Sequence, residues 1–206
     1  MKRPLKVVAF DCDGVMFDSQ EANRAYYNHV LDHCHLPAMA PEQLAYVHMH
    51  TVDESLAYLI RDKATREAAQ AYRRQLGYLP FLKFMRMEPG LVPLLEALRP
   101  RFKTAVATNR TDTMARVMAD HHIDHLFDLV VCALDVQFPK PHPEALVKVI
   151  DHFSVSPEEV VYVGDSPVDE IAAKAAGIPF VAYRNRELTA EHHIRHLAEI
   201  AGLLGL

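Results

Sequence analysis

The sequence predicts an α/β fold, a Rossmann-like doubly wound parallel sheet core with an inserted helical domain. Three observations predict it. Short runs that are apolar on both faces recur along the chain, and helical patterns lie between them. One long stretch of purely helical periodicity interrupts the alternation.

The first apolar run, residues 5–10, ends on polar residues, and comparable runs fall at 104–107, 129–132, 160–163 and 179–183. Strands apolar on both faces belong to a parallel sheet covered on both sides. Helical patterns fall at 91–98, 113–121, 143–153 and 168–176. Between Met16 and Met87 no strand-like run occurs. Ala22, Tyr26, Tyr27, Val30, Leu31 and Cys34 form one helical stripe; Leu56, Leu59 and Ile60 begin a second, and Ala68, Ala71, Tyr72 and Leu76 a third. Breaks fall at Pro37, Pro41, Gly77 and Pro80. The expected organisation is a core from residues 1–15 and 88–206 with a helical domain from 16–87.

At 206 residues the chain suits one domain carrying a smaller insertion. A formal charge of -5 offers no basic face for a nucleic acid polymer. No apolar run is long enough to span a bilayer, so no membrane partner is expected. The opening MKRPLKVVAF faintly suggests a secretory signal, but Asp11 and Asp13 interrupt it and no small-residue cleavage site follows. Cys12, Cys34 and Cys132 are an odd number without paired spacing, which fits reduced thiols in a cytoplasmic protein. None of them begins a Cys-x5-Arg loop, which excludes a cysteine-nucleophile phosphatase.

In doubly wound sheets ligands sit at the carboxyl ends of the strands. The first strand delivers Asp11-Cys12-Asp13-Gly14, where alternation points Asp11 and Asp13 the same way and Gly14 permits close backbone approach. Two carboxylates converging there call for a cation. The second strand ends in Thr108-Asn109, a later loop carries Lys140 between Pro139 and Pro141, and another strand ends in Gly164-Asp165 with Asp169 four residues on. Each fragment alone has an ordinary structural reading: strand-closing acids, a helix cap, a solvated loop lysine, an N-cap with a helix-dipole partner. Together they place acids, a hydroxyl and a lysine on one ligand-binding face. Hard oxygen donors suit Mg²⁺, and a hydroxyl, an amide and an ammonium suit the oxygens of a phosphoryl group.

The motifs DCDGV (11–15), TN (108–109), KPHP (140–143) and VGDSPVDEIAAKAAG (163–177) resemble the haloacid dehalogenase superfamily, in the branch whose helical cap follows the first motif. They span the chain in order. The Pro89-Gly90 pair before a leucine-rich helix and the AAKAAG ending are similar to the phosphoglycolate phosphatase group. The resemblance implies a Mg²⁺-dependent phosphatase acting on a small-molecule phosphate ester. Asp11 would be the nucleophile, and Asp13 the acid and then the base. Asp11, the Asp13 backbone carbonyl and Asp165 would hold the metal, with Asp169 ordering that site directly or through water. Thr108, the Asn109 amide and Lys140 would bind the transferring oxygens. The superfamily's dehalogenases lack an acid two residues after the nucleophile, so Asp13 argues for phosphate chemistry. A monomer or homodimer is expected.

A β-phosphoglucomutase-type phosphomutase shares these motifs. Aligned through Glu54-Ser55-Leu56, however, Val52 stands where that mutase has a sugar-phosphate-binding Arg, and Asn23 where it has a His. A receiver-type phospho-aspartate signalling module has its acidic pair before the phosphoacceptor and no helical insertion after the first strand. A catalytically silent binding protein is disfavoured by the complete motif set. His192 and His196 are expected on the solvated side of a terminal helix whose buried face is Ile194, Leu197, Ala201 and Leu204. His48 and His50 fall in the cap, where packing or substrate contact is open. Eight basic and eight acidic residues between 16 and 87 leave the cap without a charge preference.

Overall fold

The computed structural model describes residues 4–206; residues 1–3, assigned above to the core and to the faint signal, lie outside the described residues. The chain forms two compact units. One combines the residues up to Phe17 with Met87–Leu206, and the other is Asp18–Arg86.

The first unit is built on β1 (Val7–Phe10), β4 (Lys103–Ala107), β5 (Leu129–Val131), β6 (Val160–Gly164), β7 (Phe180–Tyr183) and β8 (His192–Ile194). Two-residue strands β2 (Phe17–Asp18) and β3 (Arg86–Met87) lie where the chain passes between units. The six long strands form one sheet in the order β5-β4-β1-β6-β7-β8, every neighbouring pair parallel. Helices α5 (Leu91–Leu98), α6 (Met114–Asp120), α7 (Glu144–Phe153), α8 (Pro167–Ala176) and α9 (Glu199–Leu203) complete this unit. With β1 central, the strand order reverses between β1 and β6, the crevice where such sheets bind ligands.

The residues explain the layers. Val7, Val8, Ala9 and Phe10 are all fully buried, as a central strand covered on both faces requires. On one side Val7, Ala9, Ala105, Tyr162, Leu146, Val149 and Ala172 share a single core cluster. Helix α5 buries Leu91, Leu94, Leu95 and Leu98 at helical spacing, each worth about 1.5–3 kcal/mol of transfer free energy. Among the described residues, no helix is long and apolar enough to cross a membrane.

The second unit packs α1 (Gln20–His33), α2 (Pro41–Met49), α3 (Val52–Leu59) and α4 (Lys63–Leu76) around its own core of Tyr26, Tyr27, Val30, Leu31, Leu44, Leu56, Ile60 and Phe81. Its helices start on local signals. Thr51 and Glu54 exchange capping hydrogen bonds at α3, and the Asp62 carboxylate accepts from Thr65 N–H at 2.8 Å to open α4.

Two expectations need correction. Helix α4 turns Ala69 inward, with Tyr72 and Leu76 partly buried, and leaves Ala68 and Ala71 exposed. The large side chains set the face, and Ala68 and Ala71, next in sequence to Ala69 and Tyr72, carry too little area to compete. The terminal helix is also shorter than its apolar spacing suggests. His192–Ile194 is the edge strand β8, paired in parallel with β7, and helix begins only at Glu199. Unpaired donors on β7 recruit this segment, a tertiary demand that helical spacing does not reveal. His192 and His196 are exposed.

Glu159 anchors the base of the sheet. Its carboxylate takes Lys6 Nζ at 2.7 Å and Ser156 N–H at 2.9 Å, and these bonds, the Lys6 one above all, pull its pKa from 4.5 to about 2. A carboxylate with a depressed folded pKa contributes stability above its unfolded pKa and loses it as pH falls through the folded value. The gap in urea midpoint between wild type and Glu159→Gln should therefore be full above about pH 4.5 and close as pH falls toward 2. Urea titrations across that range check it; a gap independent of pH contradicts the assignment.

Candidate active site

The site assembles at the carboxyl ends of β1, β4 and β6. β1 ends at Phe10 and hands Asp11 to the β1–β6 crevice, with Asp11 N–H donating to Val163 O at 2.9 Å. The chain then turns tightly. Met16 and Phe17 N–H both donate to Cys12 O at 3.0 Å, and Gly14 takes φ +86. The glycine is required twice over: that φ is left-handed, and a Cβ there would lie 2.1 Å from Asp165 Oδ2. A Cβ on Gly164 would likewise fall 2.4 Å from Asp169 Cβ. Bare backbone at these two positions lets the acids of β6 close on β1.

Lys140 is the centre of the arrangement. Its side chain is 1 % exposed, and its ammonium donates to Asp169 Oδ1 at 2.7 Å and Tyr162 OH at 2.8 Å. It also stands 2.8 Å from Asp11 Oδ1, charge against charge but without hydrogen-bond alignment. The loop is held from β4: Asn109 Nδ2 donates to Lys140 O, and Lys140 N–H donates back to Asn109 Oδ1, both at 2.9 Å. That pairing spends the Asn109 side chain on the loop. Thr108 is buried beside it, its Oγ1 accepting from Arg110 N–H at 3.1 Å.

Asp169 is fully buried and saturated. Oδ1 accepts from Lys140 and Tyr162, and Oδ2 from the N–H groups of Asp165 and Ser166 and from Ser166 Oγ. Tyr162 OH has one proton to place between Ala107 O and Asp169 Oδ1, both 2.9 Å away, while its lone pair receives Lys140. Asp169 thus organises its neighbours more than it offers open lone pairs.

Among the described residues, Asp11, Asp165 and Asp169 form a group that brings one carboxylate oxygen from each within 4.8 Å of the others. The charge balance is lopsided: three acids face one ammonium. Burial, opposed by Lys140 and reinforced by Asp169, pushes Asp11 up to about 7. Burial, then the charges of Asp169 and Asp11, push Asp165 well above the usual carboxylate range. Lys140 stays charged, because Asp11 and Asp169 outweigh the burial that alone would lower its pKa. A cluster short of positive charge and rich in hard oxygens fits a small divalent cation such as Mg²⁺.

Asp13 does not point its carboxylate into this group. Strand alternation ends with β1, and the turn sends the side chain to Arg110, whose Nη2 and Nε reach Oδ1 and Oδ2. Each aspartate of the first motif therefore has a basic side chain of its own, where sequence spacing suggested one cation between the two. Arg110 and Tyr162 escaped the sequence reading. The signals were present: an Arg directly after Thr108-Asn109, and one polar ring in the otherwise apolar strand Val160–Gly164. Cys12, between the acids, is fully buried, and burial followed by the Asp13 charge keeps its thiol protonated. His48 and His50 engage partners within the helical unit, Nδ1 of His48 with Asn23 Nδ2 at 3.0 Å and Nδ1 of His50 with Tyr46 O at 2.9 Å.

The model of the family described as haloacid dehalogenase-like hydrolase matches residues 8–183. A solved HAD-superfamily hydrolase of subfamily IA, variant 1, from Geobacter sulfurreducens PCA is 39% identical, with TM-score 0.81, covering 98% of this chain and 97% of its own. A phosphoglycolate phosphatase of Haemophilus influenzae (strain 86-028NP) is 30% identical over 88% of this chain and 86% of its own length. The pyrophosphatase PpaX of Bacillus pumilus (strain SAFR-032) is 27% identical over 84% and 80%.

The elevated Asp11 pKa has a consequence for stability. A carboxyl whose folded pKa is raised contributes most below its unfolded pKa and loses that contribution as pH rises through the folded value. Asp11 therefore costs the metal-free protein stability up to a plateau above about pH 7. Asp11→Asn should raise the Tm of metal-free protein at pH 8, and the gain should shrink as pH falls from 7 toward 4. Calorimetry in chelator checks it, and a variant less stable than wild type at pH 8 contradicts it.

Proposed function

The chain belongs to the haloacid dehalogenase-like hydrolase family, and on that premise we propose that it is a Mg²⁺-dependent phosphatase of small phosphate monoesters, working through a phosphorylated Asp11. The observation that carries this reading is the group of Asp11, Asp165 and Asp169 around Lys140, with Thr108 and Asn109 beside it at the end of β4. The 30% identity to a phosphoglycolate phosphatase supports phosphoglycolate as the first ester to test, and the likeness to a pyrophosphatase adds pyrophosphate.

In this mechanism a carboxylate oxygen of Asp11 bonds to phosphorus as the bond to the leaving oxygen breaks, and Asp13 gives its proton to the departing alkoxide. Water then attacks the aspartyl phosphate, its proton passing to Asp13, and Asp11 is released with inorganic phosphate. Lys140, the Thr108 hydroxyl and the Asn109 N–H hold the transferring oxygens. The Asp11 and Asp165 carboxylates and the Asp13 carbonyl would hold Mg²⁺, which would supply charge neutralisation at the phosphoryl group. Asp169 orders the site through Lys140, Tyr162 and Ser166. The helical unit is assigned the cap's role of selecting the ester and excluding water. Three unpaired cysteines support a reducing, cytoplasmic setting.

Two residues weigh against a phosphomutase. Val52, the first residue of α3, has no charge to clamp a second phosphate. Asn23 is spent within the helical unit, accepting from Tyr78 OH at 2.6 Å and pairing with His48.

Phosphate release from phosphoglycolate should vanish in chelator and return with Mg²⁺, with Ca²⁺ a poor substitute. Asp11→Asn should abolish turnover, and Asp13→Asn should lower it about 10²–10⁴-fold. A fluoride analogue should leave electron density bonded to Asp11. Full activity in metal-free buffer, or density on another residue, defeats the mechanism.

β-Glucose 1-phosphate, if accepted, should yield inorganic phosphate and glucose. Efficient conversion to glucose 6-phosphate with little phosphate released would instead identify a mutase.

A further inference from the structure

We propose that Arg110 is a positioning residue that fixes the carboxyl group of Asp13 for proton transfer, a role that rests on the reading of Asp13 as acid and base. The guanidinium meets Asp13 with two donors, Nη2 to Oδ1 and Nε to Oδ2, and gives Nη1 to Thr113 Oγ1 at 3.0 Å. This fork defines the plane of the Asp13 carboxyl as a single point charge does not. Thr113 directly precedes α6, so the far side of the guanidinium is tied to a helix start.

The arginine is itself held at its backbone. Its N–H donates to Thr108 Oγ1 at 3.1 Å, and its carbonyl accepts from Ala133 N–H at 3.0 Å, anchoring it between the ends of β4 and β5. Asp13 lies nearer the solvent than its partner. It begins the turn at Gly14, φ +86, and its side chain is 16 % exposed against 5 % for Arg110.

Packing alone does not call for a guanidinium here. An apolar side chain of similar volume fills such space at equal or lower cost than a buried ion pair. Nor does the Asp11 charge call for it, since Lys140 already stands 2.8 Å from that carboxylate. Two of its donor groups take both oxygens of Asp13 and a third takes Thr113, so orientation of Asp13 is the chemistry this fork performs.

The chemical step affected is specific. As the Asp11–phosphorus bond forms and the phosphorus–oxygen bond breaks, the Asp13 proton passes to the leaving oxygen. An alkoxide needs that proton, whereas a nitrophenolate leaves without it. A misplaced Asp13 therefore slows alkyl phosphates and spares nitrophenyl phosphate, whereas a general defect slows both. The ratio kcat/KM is the right readout, because it reports the steps through departure of the leaving group.

The experiment compares kcat/KM for phosphoglycolate and p-nitrophenyl phosphate in the Mg²⁺-loaded wild type, Arg110→Met and Arg110→Lys. Arg110→Met should lose about 10²-fold on the alkyl ester and stay within about threefold on the aryl ester. Arg110→Lys, which keeps one contact, should recover part of the loss and shows the same selectivity if the Met variant fails to fold. Equal loss on both esters, or no loss on either, with an active wild type overturns the positioning role and leaves the phosphatase reading intact. A wild type that releases phosphate from neither ester overturns the phosphatase reading, and this role with it.

Discussion

The structure turns on one buried ammonium. Lys140 sits at 1 % exposure among Asp11, Asp169 and Tyr162, where neither it nor the acids could ionise alone. Removing the ammonium from such a cluster would leave buried carboxylates uncompensated, which costs about 3–5 kcal/mol. Its placement depends on Asn109, which clamps the Lys140 backbone with both ends of its amide, and on Tyr162, which rises from β6 to receive it. Strands β4 and β6, on either side of β1, thus lock a loop lysine onto the aspartate that β1 presents.

The same cluster is incomplete in charge. Asp11, Asp165 and Asp169 outnumber Lys140, and two of the acids are pushed far from their ordinary pKa values. A fold assembled for stability alone would not gather three carboxylates within 4.8 Å at the crevice of a parallel sheet. The two bare glycines that admit them, Gly14 and Gly164, are the backbone counterpart of that strain.

The helical unit shows a different economy. Its core is aromatic, Tyr26, Tyr27, Phe81 and the partly buried Tyr78 in edge and tilted contacts, and its polar side chains pair with one another. Asn23, His48 and Tyr78 form one such network, Asp53, Gln70 and Arg73 another.

By itself the sequence determined the alternation of strand and helix and the helical insertion, and it marked Asp11, Asp13, Thr108, Lys140, Asp165 and Asp169 as candidates at the strand ends. Each of these is written locally, as an apolar run, a helical stripe or a motif at a strand end. Tertiary structure alone decided what those residues touch. The edge strand His192–Ile194 exists because β7 has donors to satisfy, and the inward face of α4 was set by the neighbours of Ala69. Arg110 reaches Asp13 across 97 positions of sequence, and Tyr162 reaches Lys140 across 22. A hydrogen bond between distant residues leaves no periodic trace in either segment, because its condition is a distance in space that only the folded sheet supplies.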